Sequence, residues 1–203
     1  MRALVRVMVF LPAALIIVAG LAAQSAATAP RPQGVAIFDV ALFTAGANQQ
    51  EASDTGRAAL ASQVLRSKLR ELLGTAVIDS AVTDSLARSP KYRSLTGDQP
   101  CKVIVACTKA VGRDLGATWV VMAKVSKTSN LIWLLSSQLI HVPTGQIVLD
   151  DSTELKGDPE PMIRAGVRIF AERVARTIRE RGRAATAPAA SPAAARPHPV
   201  PPR

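Results

Sequence analysis

The stretch "GVAIFDVALF", Gly34 to Phe43, is apolar almost throughout and holds one acid, Asp39. A continuous run of β-branched and aromatic residues reads as a strand covered on both faces. That burial favours a parallel neighbour, and parallel neighbours need a crossover connection. The sequence supplies one. From Asp54 to Leu73, Ala61, Leu65, Leu69, Leu72 and Leu73 fall on one helical stripe, while Arg66, Lys68, Arg70 and Glu71 lie mainly outside it. Ser53 or Asp54 suits the N-cap, and Gly74 suits the stop. "TAVID", Thr75 to Asp79, predicts a second strand. Strand, helix and strand make a βαβ unit with a right-handed crossover.

Working outward, "SAVTDSLARSPKYRSLTGDQP" predicts an irregular region with a helical turn near Val82 to Arg88. "ACTKAVGRDLGA" predicts a short helix with Ala106, Ala110, Val111 and Leu115 apolar and Gly116 as its stop. Three strands follow: "TWVVMAKVSKT", "SNLIWLLSSQLIHV" and "GQIVLDDSTEL". Their joints are short, and Pro143 and Gly145 bring turn chemistry to the second, which makes an antiparallel meander. The last helix runs from Pro159 to Arg181, with Asp158 as N-cap and Glu160 complementing the dipole. Ile163, Val167, Phe170, Val174 and Ile178 form its core stripe. The expected fold is α/β (α+β), a single domain of order β-α-β-α-β-β-β-α. Its mixed five-stranded sheet has strand order 2-1-3-4-5 and is packed by helices.

The ends differ from this domain, which spans residues 34–181. Arg2 and Arg6 precede an apolar run, Val7 to Ala23, and small residues then offer cleavage points after Ser25 or Ala27. This is the anatomy of a signal peptide, residues 1–27, with an uncleaved N-terminal anchor as the alternative. No Cys follows the apolar run to carry a lipid. Residues 182–203 are rich in Ala, Pro and Arg, and the sequence predicts a disordered tail. The net charge of +10 is partly a property of these ends. Two of the 25 basic residues lie in the leader and four flank the domain, so 19 face 15 acidic residues, about +4. With one tyrosine and no basic cluster interleaved with aromatics, the chain lacks a nucleic-acid footprint. A mildly basic envelope protein still suits anionic lipid or polymer. No stable membrane insertion is expected once the leader is cleaved.

The element order, with its "TG" hairpin and long amphipathic helix, resembles the N-terminal domain of TolB and the core of CsgG-type envelope proteins. It resembles more closely a family of secreted bacterial proteins known only as a domain of unknown function. The carrying residues are "IFDV", the cysteine-bearing segment and "LGATWVVMAKVSKTSNLI". In that family the last reads as LGAD, a strand, then K-x-S-N-L-I. Lys127, Ser129, Asn130, Leu131 and Ile132 match that motif, and Thr144 and Gly145 match the TG. The resemblance implies an exported envelope protein, and for some relatives an association with periplasmic dehydrogenase systems. One departure concerns the cysteines, which are C-x-x-C in the family and C-x5-C here.

Cys101 and Cys107 are the only cysteines. A structural zinc needs about four Cys or His ligands, and only His141 and His198 could join them. A redox pair needs an exposed low-pKa thiol, usually in C-x-x-C. Outside the cytoplasm a local disulfide is the expected state, with two buried free thiols or a redox pair as alternatives. Lys127, Ser129, Asn130 and Asp39 make a possible binding rim, although Ser129 and Asn130 also suit a plain hairpin turn. Trp119 and Trp133 are expected in the core. The acids of "DDSTELKGDPE" do not match a calcium loop and suit a solvated strand end with a helix cap. There is no phosphate loop, nucleophile elbow or H-E-x-x-H. The sequence thus predicts no catalytic residue, metal or cofactor. It predicts an exported module acting through an envelope or periplasmic protein partner. Two alternatives are a thiol redox or chaperone-like helper and a small-ligand sensor.

Overall fold

Parallel pairing organises the sheet as the first strand's composition requires. The computed structural model describes residues 34–44, 51–97 and 99–186. The leader and the tail beyond residue 186 lie outside the described residues. Among the described residues are five strands: β1 (Val35–Ile37), β2 (Ala41–Thr44), β3 (Trp119–Lys127), β4 (Ile132–His141) and β5 (Gln146–Lys156). The helices are α1 (Ala52–Leu73), α2 (Ser80–Ala87), α3 (Pro90–Thr96), α4 (Val105–Asp114) and α5 (Pro159–Thr186). β1 and β2 both run parallel to β3, and β3, β4 and β5 form the antiparallel meander.

The expected first strand is divided. Ile37 pairs with Val121 and Ala41 with Lys124, so Phe38, Asp39 and Val40 face only two residues of β3. This is a bulge, and it turns Asp39 out of the ladder. The expected second strand shrinks to one parallel bridge, Val35 to Val77, with the Ile78 N–H donating to the Val35 carbonyl at 2.9 Å. Its flanks serve other elements. Gly74–Ala76 form a 3-10 turn at the end of α1, and Asp79 caps α2 by accepting from the Ala81 N–H at 2.6 Å. The strand order keeps the expected sequence, with Val77 outside β1.

Two departures concern helix starts. The N-cap of α1 is Glu51 rather than Ser53 or Asp54, and Asp54 reaches back to accept from the Glu51 N–H at 2.9 Å. The region expected to be irregular holds both α2 and α3; in α3, Ser89 is the N-cap and Pro90 opens the helix. Gly74 ends α1 at φ 56°, a conformation that favours glycine. α5 continues past Arg181 to Thr186.

Helices cover both faces of the sheet. On one side α1 and α5 bury Leu65, Leu69, Ile163, Val167, Phe170 and Val174 against Val121, Val125, Trp119, Trp133 and Leu135. Burying each such side chain stabilises the fold by about 1.5–3 kcal/mol. On the other side α2, α3 and α4 pack Tyr92, Cys107 and Val111 against Ala36, Phe38, Val120 and Ile140. α4 lies so close to the sheet that a Cβ on Gly112 would stand 2.5 Å from Val120 Cγ2.

Candidate functional site

The bulge places Asp39 at the mouth of a cleft. Asp39 Oδ1 lies 2.8 Å from Arg66 Nη2, and the same nitrogen lies 2.7 Å from Asp84 Oδ2. One guanidinium on α1 therefore ties the bulge to α2. Beside it the Val40 N–H, freed from the ladder, donates to Ser62 Oγ at 2.9 Å. α1 thus answers with a hydroxyl where a further strand would have offered a carbonyl.

The cleft opens between α1, the outer edge of β2 and the turn at Cys101–Val103. Its main lobe has a volume of about 810 Å³ and is lined by Thr55, Ala59, Arg66 and Arg70 of α1, by Ala41 and Leu42, and by Pro100 and Lys102. A second lobe of about 490 Å³ shares Asp39, Pro100 and Lys102 and adds Arg88 and Arg93. The charge is uneven. Arg66 engages both Asp39 and Asp84, and Arg70 donates to the Ser80 hydroxyl at 3.2 Å. Arg88, Arg93 and Lys102 have no ion-pair partner among the described residues.

A disulfide holds one wall. Cys101 and Cys107 are joined, with Cα atoms 5.3 Å apart, and both are buried. Cys101 lines the second lobe, so the bond ties the Pro100–Lys102 wall to α4. No cysteine thiol is free among the described residues.

The other expected rim residues do not join Asp39. Lys127 pairs with Thr44 in the sheet and its side chain is 2% exposed. Its ammonium lies 2.8 Å from Glu51 Oε1 and 3.1 Å from Asp54 Oδ2. Arg57 closes the group, 2.7 Å from Asp54 Oδ1 and 5.3 Å from the centre of the Trp133 ring. The Lys127 hydrogen bond holds Glu51 below the usual carboxylate range. Burial works to raise Asp54, but the Glu51 N–H, Lys127 and Arg57 outweigh it and lower the carboxyl. The Glu51 contact in turn raises Lys127. Lys127 thus ties the start of α1 to the sheet.

Ser129 shapes the β3–β4 turn, its hydroxyl accepting from the Leu131 and Ile132 N–H groups at 3.3 and 3.1 Å. Asn130 is exposed, and no non-glycine described residue has positive φ, so the turn does not use its tolerance for that region. His141 lies 4.7 Å from the Trp119 ring, and its Nδ1 is 2.9 Å from the Thr144 hydroxyl. Burial, and then Arg181, push its pKa down. His198 lies outside the described residues. No cluster of His, Cys, Asp and Glu fit to hold a metal ion occurs among the described residues. Among them no helix is long and apolar enough to cross a membrane.

Sequence reasoning singled out Asp39 and the cysteines but missed Arg66, Arg70, Lys102, Arg88 and Arg93. A signal existed on α1. Thr55, Ala59, Gln63, Arg66 and Arg70 recur at helical spacing on a face outside the apolar stripe, and all five line the cleft.

These features define a disulfide-pinned α/β domain with helices on both faces of a mixed sheet and a basic cleft at its parallel edge. The chain belongs to the family DUF3280, described as "Protein of unknown function (DUF2380)", whose model matches residues 33–174. No curated protein matches it in sequence. Among solved structures it is similar to the LpoB C-terminal domain from Salmonella enterica, at 18% identity and a TM-score of 0.42, covering 61% of this chain and 83% of that one. It is similar to the PelC dodecamer from Paraburkholderia phytofirmans, at 15% identity and a TM-score of 0.39, covering 70% and 85%. It is also similar to lipoprotein GNA1162 from Neisseria meningitidis, at 11% identity and a TM-score of 0.39, covering 72% and 99%. These likenesses are too distant to transfer any residue's role.

Proposed function

We propose that this protein is an exported accessory module of the cell envelope that works by binding a protein partner, without catalysis. The observation that carries the reading is the cleft at the bulge, whose two carboxylates, Asp39 and Asp84, are both engaged by Arg66. A general acid or base needs a proton-transferring group free to face a substrate. This cleft offers cations, hydroxyls and apolar surface instead, which suit recognition. The joined cysteines support an oxidising compartment, and the leader-like residues 1–27 support export. Both sulfurs are buried, which weighs against the thiol-helper alternative. The resemblance of the element order to TolB and CsgG-type domains, and the K-x-S-N-L-I motif as a mark of the family, belong to this proposal.

The test is affinity isolation of the tagged full-length chain from the periplasmic and membrane fractions of its host, with and without residues 187–203. The expected result is one envelope protein enriched over a tag-only control that re-forms a complex from purified components. Recovery of no such protein overturns the proposal.

A further inference from the structure

We infer that the basic cleft at the open edge of β2 is a docking site for an extended acidic segment of a partner protein, which lies beside β2 as an added strand. The inference rests on the binding-module reading and names the site and the chemistry of the partner.

The first observation is the unfinished sheet edge. β2 pairs with β3 on one side, and among the described residues no strand pairs with its other side. The neighbouring β1 receives only the single bridge from Val77 there. Ser62 supplies the acceptor for the Val40 N–H, a substitute for a missing strand at one position. Exposed edges offer backbone N–H and C=O groups to any extended chain, and many peptide-binding domains recognise ligands by such addition.

The second observation is room of the right shape. The cleft follows α1 from Thr55 to Arg70, about 22 Å at the helical rise per residue. That length holds an extended peptide of about six or seven residues. Thr55, Ala58, Ala59 and Ser62 are small, so α1 leaves space beside β2.

The third observation is charge. Five basic side chains line the two lobes against Asp39 and Asp84, and Arg66 holds both acids. Arg70 and Lys102 lie on the walls of the main lobe, and Arg88 and Arg93 continue into the second. Charges spread along a groove fit carboxylates spaced along a chain better than one compact anion. The same charge disfavours this chain's own ends, since residues 187–203 carry Arg196 and Arg203 and no acid.

The test uses the full-length, disulfide-intact protein and a short fluorescein-labelled peptide of alternating valine and glutamate. A matched valine–lysine peptide is the control, and fluorescence anisotropy is the readout. The glutamate peptide should bind saturably and the lysine peptide should not. The double variant Arg70→Glu/Lys102→Glu should weaken binding by at least about tenfold, equivalent to about 1.4 kcal/mol. Both positions border solvent, and circular dichroism checks that the variant folds. Ala59→Trp, which fills the cleft from an exposed helix position, should weaken binding as well.

Equal binding of the two peptides, or binding untouched by both variants, overturns the inference. Displacement of the peptide by inorganic phosphate at the concentration where sodium chloride has no effect assigns the cleft to a small anion and overturns it. Self-association in sedimentation that the double variant abolishes assigns the cleft to a second copy and also overturns it. If wild type and double variant recover the same envelope partner equally well, the accessory-module reading stands and this inference alone falls.

Discussion

The two faces of the sheet are built by different means. The α1–α5 face rests on two long helices with continuous apolar stripes, and Leu65, Leu69, Ile163, Val174 and Trp133 are all fully buried there. The α2–α4 face has short helices, the longest being α4 at ten residues, and a covalent bond between Cys101 and Cys107. Isolated helices that short are marginal in water. The first face is stabilised by apolar area. The second adds the bond to a smaller apolar cluster around Tyr92, Val111 and Val120, and the bonded segment borders the cleft. A scaffold of long helices beside a surface of short, covalently pinned segments is a common division between fold and binding.

The largest effect expected is on the scaffold side. Phe170→Ala should lower stability by about 3–5 kcal/mol in urea unfolding. A loss comparable to that of an exposed alanine substitution would break the contrast between the faces.

Next in size is the bond. Cys101→Ser/Cys107→Ser should cost about 2 kcal/mol, as expected for closing so short a loop in the chain-entropy model. Native-state hydrogen exchange should place the added opening in Cys101–Val103, α3 and α4, with α1 and α5 little changed. Uniform acceleration across both faces would show that the bond supports the whole molecule.

The smallest effect is the acid sensitivity of the Lys127 cluster. The ordinary values for Glu51 and Asp54 are 4.5 and 3.8, and both carboxyls are lowered in the folded protein. A lowered acid contributes stability above its unfolded value and loses it as pH falls through the folded one. The urea midpoint should therefore fall as pH drops below about 4.5. Lys127 is raised from 10.5, so its share holds below that value and is lost at higher pH. Lys127→Met should flatten the acid limb. An unchanged limb would mean that other carboxylates set it.

Much of the fold was legible because it is written in long periodic segments. The α5 stripe at Ile163, Val167, Phe170, Val174 and Ile178 is buried at every position. The apolar run from Gly34 to Phe43 led to parallel pairing, and both of its pieces pair in parallel with β3. What escaped was local. The bulge needs one extra residue opposite β3, and no composition marks it. α3 was hidden because Pro90 reads as a breaker as easily as a first helical residue. Lys127 looked like a rim group because a lysine at a strand end is usually solvated, yet Asp54 and Glu51, distant in sequence, enclose it. The basic lining of the cleft combines α1, α2, α3 and the Cys101–Val103 turn, and only the tertiary fold brings those segments together.

The central claim is that the cleft between α1, β2 and the Cys101–Val103 turn, not the exposed side of α5, is the working surface. Site-specific photocrosslinking in the host tests it most directly, with a benzoyl-phenylalanine at Ala59 in the cleft and another at Ala165 on the exposed side of α5. The account predicts one discrete protein adduct from Ala59, lost when Arg70→Glu/Lys102→Glu is added, and none from Ala165. An adduct from Ala165 alone, or an Ala59 adduct indifferent to the charge reversals, would contradict it.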